Sequence, residues 1–125
     1  MNTSDTPAGR IARLDASLAE HGQDVTIQRR VGTSAVFVTV ALRARLAGYG
    51  TSDLSAGIKV TDSKFIASPS PIIAAGAAWP GAAGGDQPVK IGDELIVEGR
   101  RRRVEQVDNI VIGGAWVRIE GRISG

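Results

Sequence analysis

"AVFVTVALRARL", residues 35–46, alternates with a period of two along its whole length. Val36, Val38, Val40, Leu42, Ala44 and Leu46 fall on one side, Phe37, Thr39, Ala41, Arg43 and Arg45 on the other. Successive side chains of a strand point to opposite faces, so the stretch predicts a long strand with one buried face and arginines near the end of the other. "DVTIQRRV" (24–31) repeats the pattern, with Val25, Ile27 and Val31 against Thr26, Gln28 and Arg30. Gly32-Thr33-Ser34 lies between the two runs, which predicts a β-hairpin.

Upstream the period becomes 3.6. In "DTPAGRIARLDASLAEHG" (5–22), Ile11, Leu14 and Leu18 share one helix face, widened by Ala12 and Ala19. Thr6 is placed to cap the first turn, Pro7 fits inside it, and His21 suits the last turn. Gly22 is read as a left-handed stop. A helix over about 7–21 follows.

Downstream, Gly48, Gly50 and Gly57 bracket a polar segment, so residues 48–63 read as a long surface loop. "KFIAS" (64–68) is a short strand stopped by Ser68-Pro69-Ser70-Pro71. The Ala- and Gly-rich stretch 72–88 reads as a turn of helix over Ile72 to Ala78, then a connection anchored on the body by Trp79. A β-meander closes the chain. Leu95 and Val97 oppose Glu94, Ile96 and Glu98, and Gly99-Arg100 is expected to turn into "RRRVEQV". Gly113-Gly114 turns again, and Ala115, Val117, Ile119 and Ile123 then oppose Trp116, Arg118, Glu120 and Arg122. One helix and about six strands with no βαβ alternation predict a mainly β, antiparallel barrel or sandwich, with residues 1–125 as a single domain.

Composition narrows the chemistry. Fifteen Lys and Arg are offset by thirteen Asp and Glu, leaving +2, which is not the balance of a polybasic nucleic-acid binder. Aromatics at 4% leave the core to Val, Ile, Leu and Ala, a sparse supply that makes help from partner subunits plausible. With no cysteine and one histidine, His21, a zinc site lacks ligands, and no carboxylate or hydroxyl stands near His21 at a spacing that suggests a hydrolytic triad. "GAAGG" (81–85) lacks the Lys-Ser/Thr of a phosphate loop. No enzyme activity, catalytic residue, cofactor or metal is expected. No apolar run approaches the ~18 residues of a membrane helix, and the start of the chain lacks a signal-peptide core, so a soluble protein is expected. In "VEGRRRRVEQV" (97–107), period two sends Arg101 and Arg103 one way and Arg100 and Arg102 the other. The run is therefore not one patch. Glu94, Glu98 and Glu105 are at hand for cross-strand pairs. The arginines are either a solvated, partly paired strand or a sequence-independent contact with a phosphate backbone or an acidic neighbour.

The order of "LAEHGQDVTIQRR" (18–30), "GYGTSDLSAGIKVTDSKFIASPSPI" (48–72), "AAGAAWPGAAGGD" (74–86) and "IGDELIVEGRRRRVEQVD" (91–108) resembles the head-closure, or head–tail joining, proteins of tailed bacteriophages, prophages and gene transfer particles. The resemblance runs from Arg10 to Arg122. It implies a small barrel that assembles as a homo-oligomeric ring in the virion neck, built in the bacterial cytoplasm. The ring sits between the portal or an adaptor above and the tail terminator or tail tube below, closing the DNA-filled head and docking the tail. It implies no membrane and no small-molecule substrate. Channel or loop candidates are then Tyr49, Asp53, Lys59, Asp62 and Lys64 with Arg43 and Arg45, which allow non-specific contact with packaged DNA. Subunit-interface candidates are Trp79, Arg100, Arg101, Arg102, Arg103 and Trp116. The arginine run departs from the family, whose hairpins often carry an aromatic or small polar residue at 101–103. Two other readings stay open: a stand-alone barrel gripping nucleic acid through Arg100 to Arg103, and another connector such as a tail terminator.

Overall fold

The computed structural model describes residues 6–30, 37–48, 62–76, 79 and 87–125. Helix α1 (Pro7–His21) leads into β1 (Gln23–Arg30), β2 (Phe37–Gly48) and β3 (Ser63–Ala67); α2 (Ser70–Ala75) precedes β4 (Glu94–Val97), β5 (Arg100–Ile112) and β6 (Ala115–Ile123). The strands form a closed barrel in the order β1-β2-β3-β6-β5-β4, each antiparallel to its neighbours. The β1–β4 pairing, Thr26 opposite Ile96 and Ile27 opposite Leu95, shuts the sheet on itself. Closure leaves no free edge, which settles barrel against sandwich.

Antiparallel order gives the barrel two distinct ends. At the first lie the starts of β1, β3 and β5 and the finishes of β2, β4 and β6, so Gly48 and Ser63, the roots of the 48–63 segment, are paired there. This is the loop end. The opposite, plug end holds the β5–β6 turn, α2 and residues 87–93.

The alternation read from the sequence builds the inner wall. Val25 and Ile27 of β1, Val40, Leu42 and Ala44 of β2, and Leu95 and Val97 of β4 are all buried. Leu46, Phe65, Gly121 and Val107 form one inner row, and Ala44, Ala67, Ile119 and Asn109 the next. At Gly121 a side chain is excluded: a Cβ there would lie 2.7 Å from Cε1 of the Phe65 ring and closer still to the Gln106 carbonyl. The hairpin β1–β2 forms as predicted; its turn residues, and Val31 and Val36, lie outside the described residues.

Thr6 caps α1 as expected, its Oγ1 accepting from Gly9 N at 3.0 Å. Four details correct the sequence reading. Gly22 is extended (φ −84°), so the glycine is required by close approach, because a Cβ would stand 2.6 Å from the Leu18 carbonyl oxygen. Ala12 and Ala19 are exposed rather than part of the buried face, which narrows to Leu18 with Ile11 and Leu14 half-buried. Helix α2 covers Ser70–Ala75, earlier than Ile72 to Ala78, because proline is tolerated in a first turn while Gly76, at φ 58°, ends the helix. The β4–β5 turn is Glu98-Gly99, both at positive φ (51° and 80°), so Arg100 already belongs to the strand. Gly113 and Gly114, at φ 59° and 79°, make the β5–β6 turn where predicted.

Candidate functional site

The arginine run lies along the first part of β5, with Arg100 opposite Val97, Arg101 opposite Ile96, Arg102 opposite Leu95 and Arg103 opposite Glu94. Arg100, Arg101 and Arg103 are exposed, while Arg102 shares the inner face with fully buried Val104. Arg102 turns into the loop end: Nε donates to the Ser124 carbonyl at 2.6 Å and Nη2 to Ser63 Oγ at 2.9 Å. Burial, and then the nearby charge of Arg100, lower its pKa below the ordinary arginine value, against an opposing pull from Asp62. Among the described residues, Arg100, Arg101 and Arg103 form no cross-strand ion pair with Glu94, Glu98 or Glu105. Glu94 instead accepts from Gln28 Nε2 at 2.9 Å, on the β1 side.

Around the loop roots the charges gather. Arg122 Nη1 donates to buried Asp62 Oδ2 at 3.1 Å. Lys64, exposed, lies directly across from Arg122 on the outer face. With Arg100 and Arg102 they form a basic collar about Asp62 and Ser63. Arg45 is exposed one step along the same wall, opposite Ile66. Arg43 is committed to its own chain: Nε donates to the Leu18 carbonyl at 2.9 Å, Nη2 to the Gly22 carbonyl and Nη1 to Asp24 at 2.9 Å. The Leu18 carbonyl also accepts from Gly22 N at 2.8 Å, so Arg43 adds a second donor there and ties the end of α1 to β2. Tyr49, Asp53 and Lys59 lie outside the described residues.

Of the interface candidates, Arg100, Arg101 and Arg103 are on the surface and Trp116 is half-buried near the β5–β6 turn, across from exposed Val111. Trp79 is 1% exposed and presents no surface to a neighbour; it is the anchor that the sequence reading also made it. Its Nε1 donates to the Pro88 carbonyl at 2.8 Å, and the Arg29 guanidinium lies 4.7 Å from its ring centroid.

Arg29 was not singled out by the sequence reading. It follows Val25 and Ile27 on the inner face and makes a two-pronged pair with Asp93, Nε to Oδ1 at 2.9 Å and Nη2 to Oδ2 at 2.7 Å. Asp93 also accepts from Lys90 N at 2.8 Å, and Arg29 reaches the Gln87 carbonyl at 3.2 Å. Asn109 is a second such residue: its amide bonds both the N and O of Val89, at 3.2 and 2.8 Å, as a strand would. The available signal was an arginine standing where the 25, 27, 29 alternation calls for an apolar residue.

His21, near Glu20 at 3.8 Å, is largely exposed. Among the described residues, no cluster of three or more His, Cys, Asp or Glu is placed to hold a metal ion, and no helix is long and apolar enough to cross a membrane. What the surface offers is placed charge: guanidinium and ammonium groups can meet phosphates or carboxylates without making or breaking a bond. No protein-family model matches the chain, and no curated protein matches it.

Proposed function

We propose that this chain is a structural neck protein of a phage-like particle, forming a homo-oligomeric ring between portal or adaptor and tail, with no catalytic step and no cofactor. The observation that carries the reading is the joint arrangement of closed barrel, N-terminal helix and a long segment rooted at one end beneath a basic collar. A small barrel with a long loop is what the resemblance implies, and the collar adds charge at the root of that segment. In a ring, each Arg100 and Lys64 recurs once per subunit, so a few charges per chain become a band able to meet the phosphates of packaged DNA.

The alternative, a free-standing nucleic-acid binder using Arg100 to Arg103, is favoured by the exposure of three of the four arginines. It is weakened by the turning of Arg102 into the barrel end, which breaks the run as a contiguous grip. A tail terminator or other connector layer is the same class of protein at a different height. Immunolabelling of purified particles decides between them. The expected label lies at the head–tail junction, and particles without the chain lose DNA or fail to take tails. Tight, steeply salt-dependent binding of short duplexes by the isolated chain, with no label at the junction, overturns the neck reading in favour of the nucleic-acid binder.

A further inference from the structure

Helix α1 divides two grooves of opposite charge. Helical spacing sends Arg10, Arg13, Leu14 and Ser17 to one flank and Asp15 and Ala19 to the other. On the first flank the groove is about 400 Å³, floored by Ile110 and Ile112, and Arg118 of β6 joins Arg10 and Arg13 on its rim. Exposed Val111 lies beside it on β5. On the second flank the groove is about 610 Å³, floored by Ala19, Ala41 and Ile96 and rimmed by Asp15, Asp24 and Glu98. Arg43 also reaches this second groove, but its guanidinium is turned to the Leu18 and Gly22 carbonyls and to Asp24. Arg118 keeps a pair with Glu120, so the sign of the first rim rests chiefly on Arg10.

We infer that these flanks are the two halves of one contact between copies of this chain, the arginine flank of one copy seated on the acidic flank of the next. The inference rests on the ring reading above and names the surface that would make it. Matching either flank with itself sets like charges against each other, which disfavours a two-fold dimer through α1. Matching one flank with the other pairs opposite charges over apolar floors. Because the two surfaces differ, the contact is heterologous, and its repetition closes a ring when the rotation per subunit divides a full turn.

The test is charge reversal and exchange, read by native mass spectrometry and light scattering on the full chain. Arg10→Glu is compatible with the fold, since an acidic residue near a helix N-terminus is favourable; Glu98→Lys changes an exposed turn residue. The wild-type chain is expected to associate beyond a dimer in a salt-sensitive way. Each single variant should associate about ten-fold more weakly. An equimolar mixture of the two variants should recover association. In it the two reversed flanks meet each other with opposite charges, while the two unchanged flanks still meet in the alternate contact. Recovery also shows that both variants are folded. A wild-type chain that stays monomeric at its highest soluble concentration, singles that associate like wild type, or a mixture that does not recover each overturns the inference. The neck reading is decided separately, by the label at the head–tail junction.

Discussion

The two ends of the barrel use the same residue type in opposite ways. At the plug end Arg29 is sealed in, its side chain 9% exposed and that of Asp93 5%, with Trp79 against the guanidinium. At the loop end Arg100, Arg101 and Arg103 are exposed and Arg102 is held by a carbonyl and a hydroxyl. Among the described residues, only Arg122 is drawn into a largely buried pair there, with Asp62. A buried pair is expensive to break because the surviving partner keeps its desolvation cost; an exposed charge loses little when removed and stays available to another molecule. The plug end therefore carries fold, while the loop end leaves charge at the surface.

Breaking the plug should have the largest effect. Asp93→Ala leaves the Arg29 guanidinium buried without its carboxylate and should lower unfolding free energy by about 3–5 kcal/mol in chemical denaturation. The double change Arg29→Met with Asp93→Leu should regain most of that loss; if it is as unstable as the single, the charge-desolvation account of the plug fails. Next comes Gly121→Ala, where the added methyl meets the Gln106 carbonyl and the Phe65 ring. A loss of about 1–3 kcal/mol is expected, and a matching Phe65→Leu should recover part of it. Asp62→Ala removes the partner of Arg122, whose side chain is only 17% exposed, and should cost about 1–2 kcal/mol. Hydrogen exchange should quicken first at Ser63 and Lys64 if this pair secures the loop root. Arg101→Ala with Arg103→Ala should change stability by no more than about 0.5 kcal/mol while, on the neck proposal, reducing particle assembly. Unchanged assembly would make both arginines solvated bystanders and blur the contrast between the ends.

The walls of the barrel were legible because each strand carries its own signal. Val40, Leu42 and Ala44 alternate within one segment, and Thr6 and Pro7 announce the helix within one turn. The ends were less legible because their partners are far apart in the chain. Nothing near Arg29 points to Asp93, 64 residues on. Nothing in "RRRR" tells that Arg102 will reach Ser63, 39 residues back. The irregularity between Val104 and Gln106 also resets the alternation, which carries Asn109 to the inner row without a local cue. The split of the arginines between two faces followed from period two alone, but which face turns inward depended on the register of β4 and β5.

The β1–β4 ladder has a further consequence, for the order in which the protein folds. It joins only residues 26–28 to 94–96, and Gln28 and Glu94 are 66 positions apart. Neighbouring hairpins such as β5–β6 can zip locally, whereas this seam must wait for a long loop to close. Once formed it is also short, so it is where transient opening should begin. An open seam exposes two strand edges, and each edge is a template for the matching strand of another copy wherever copies are held close together. Productive folding of this barrel is thus a race between its own last strand pairing and exchange with a neighbour.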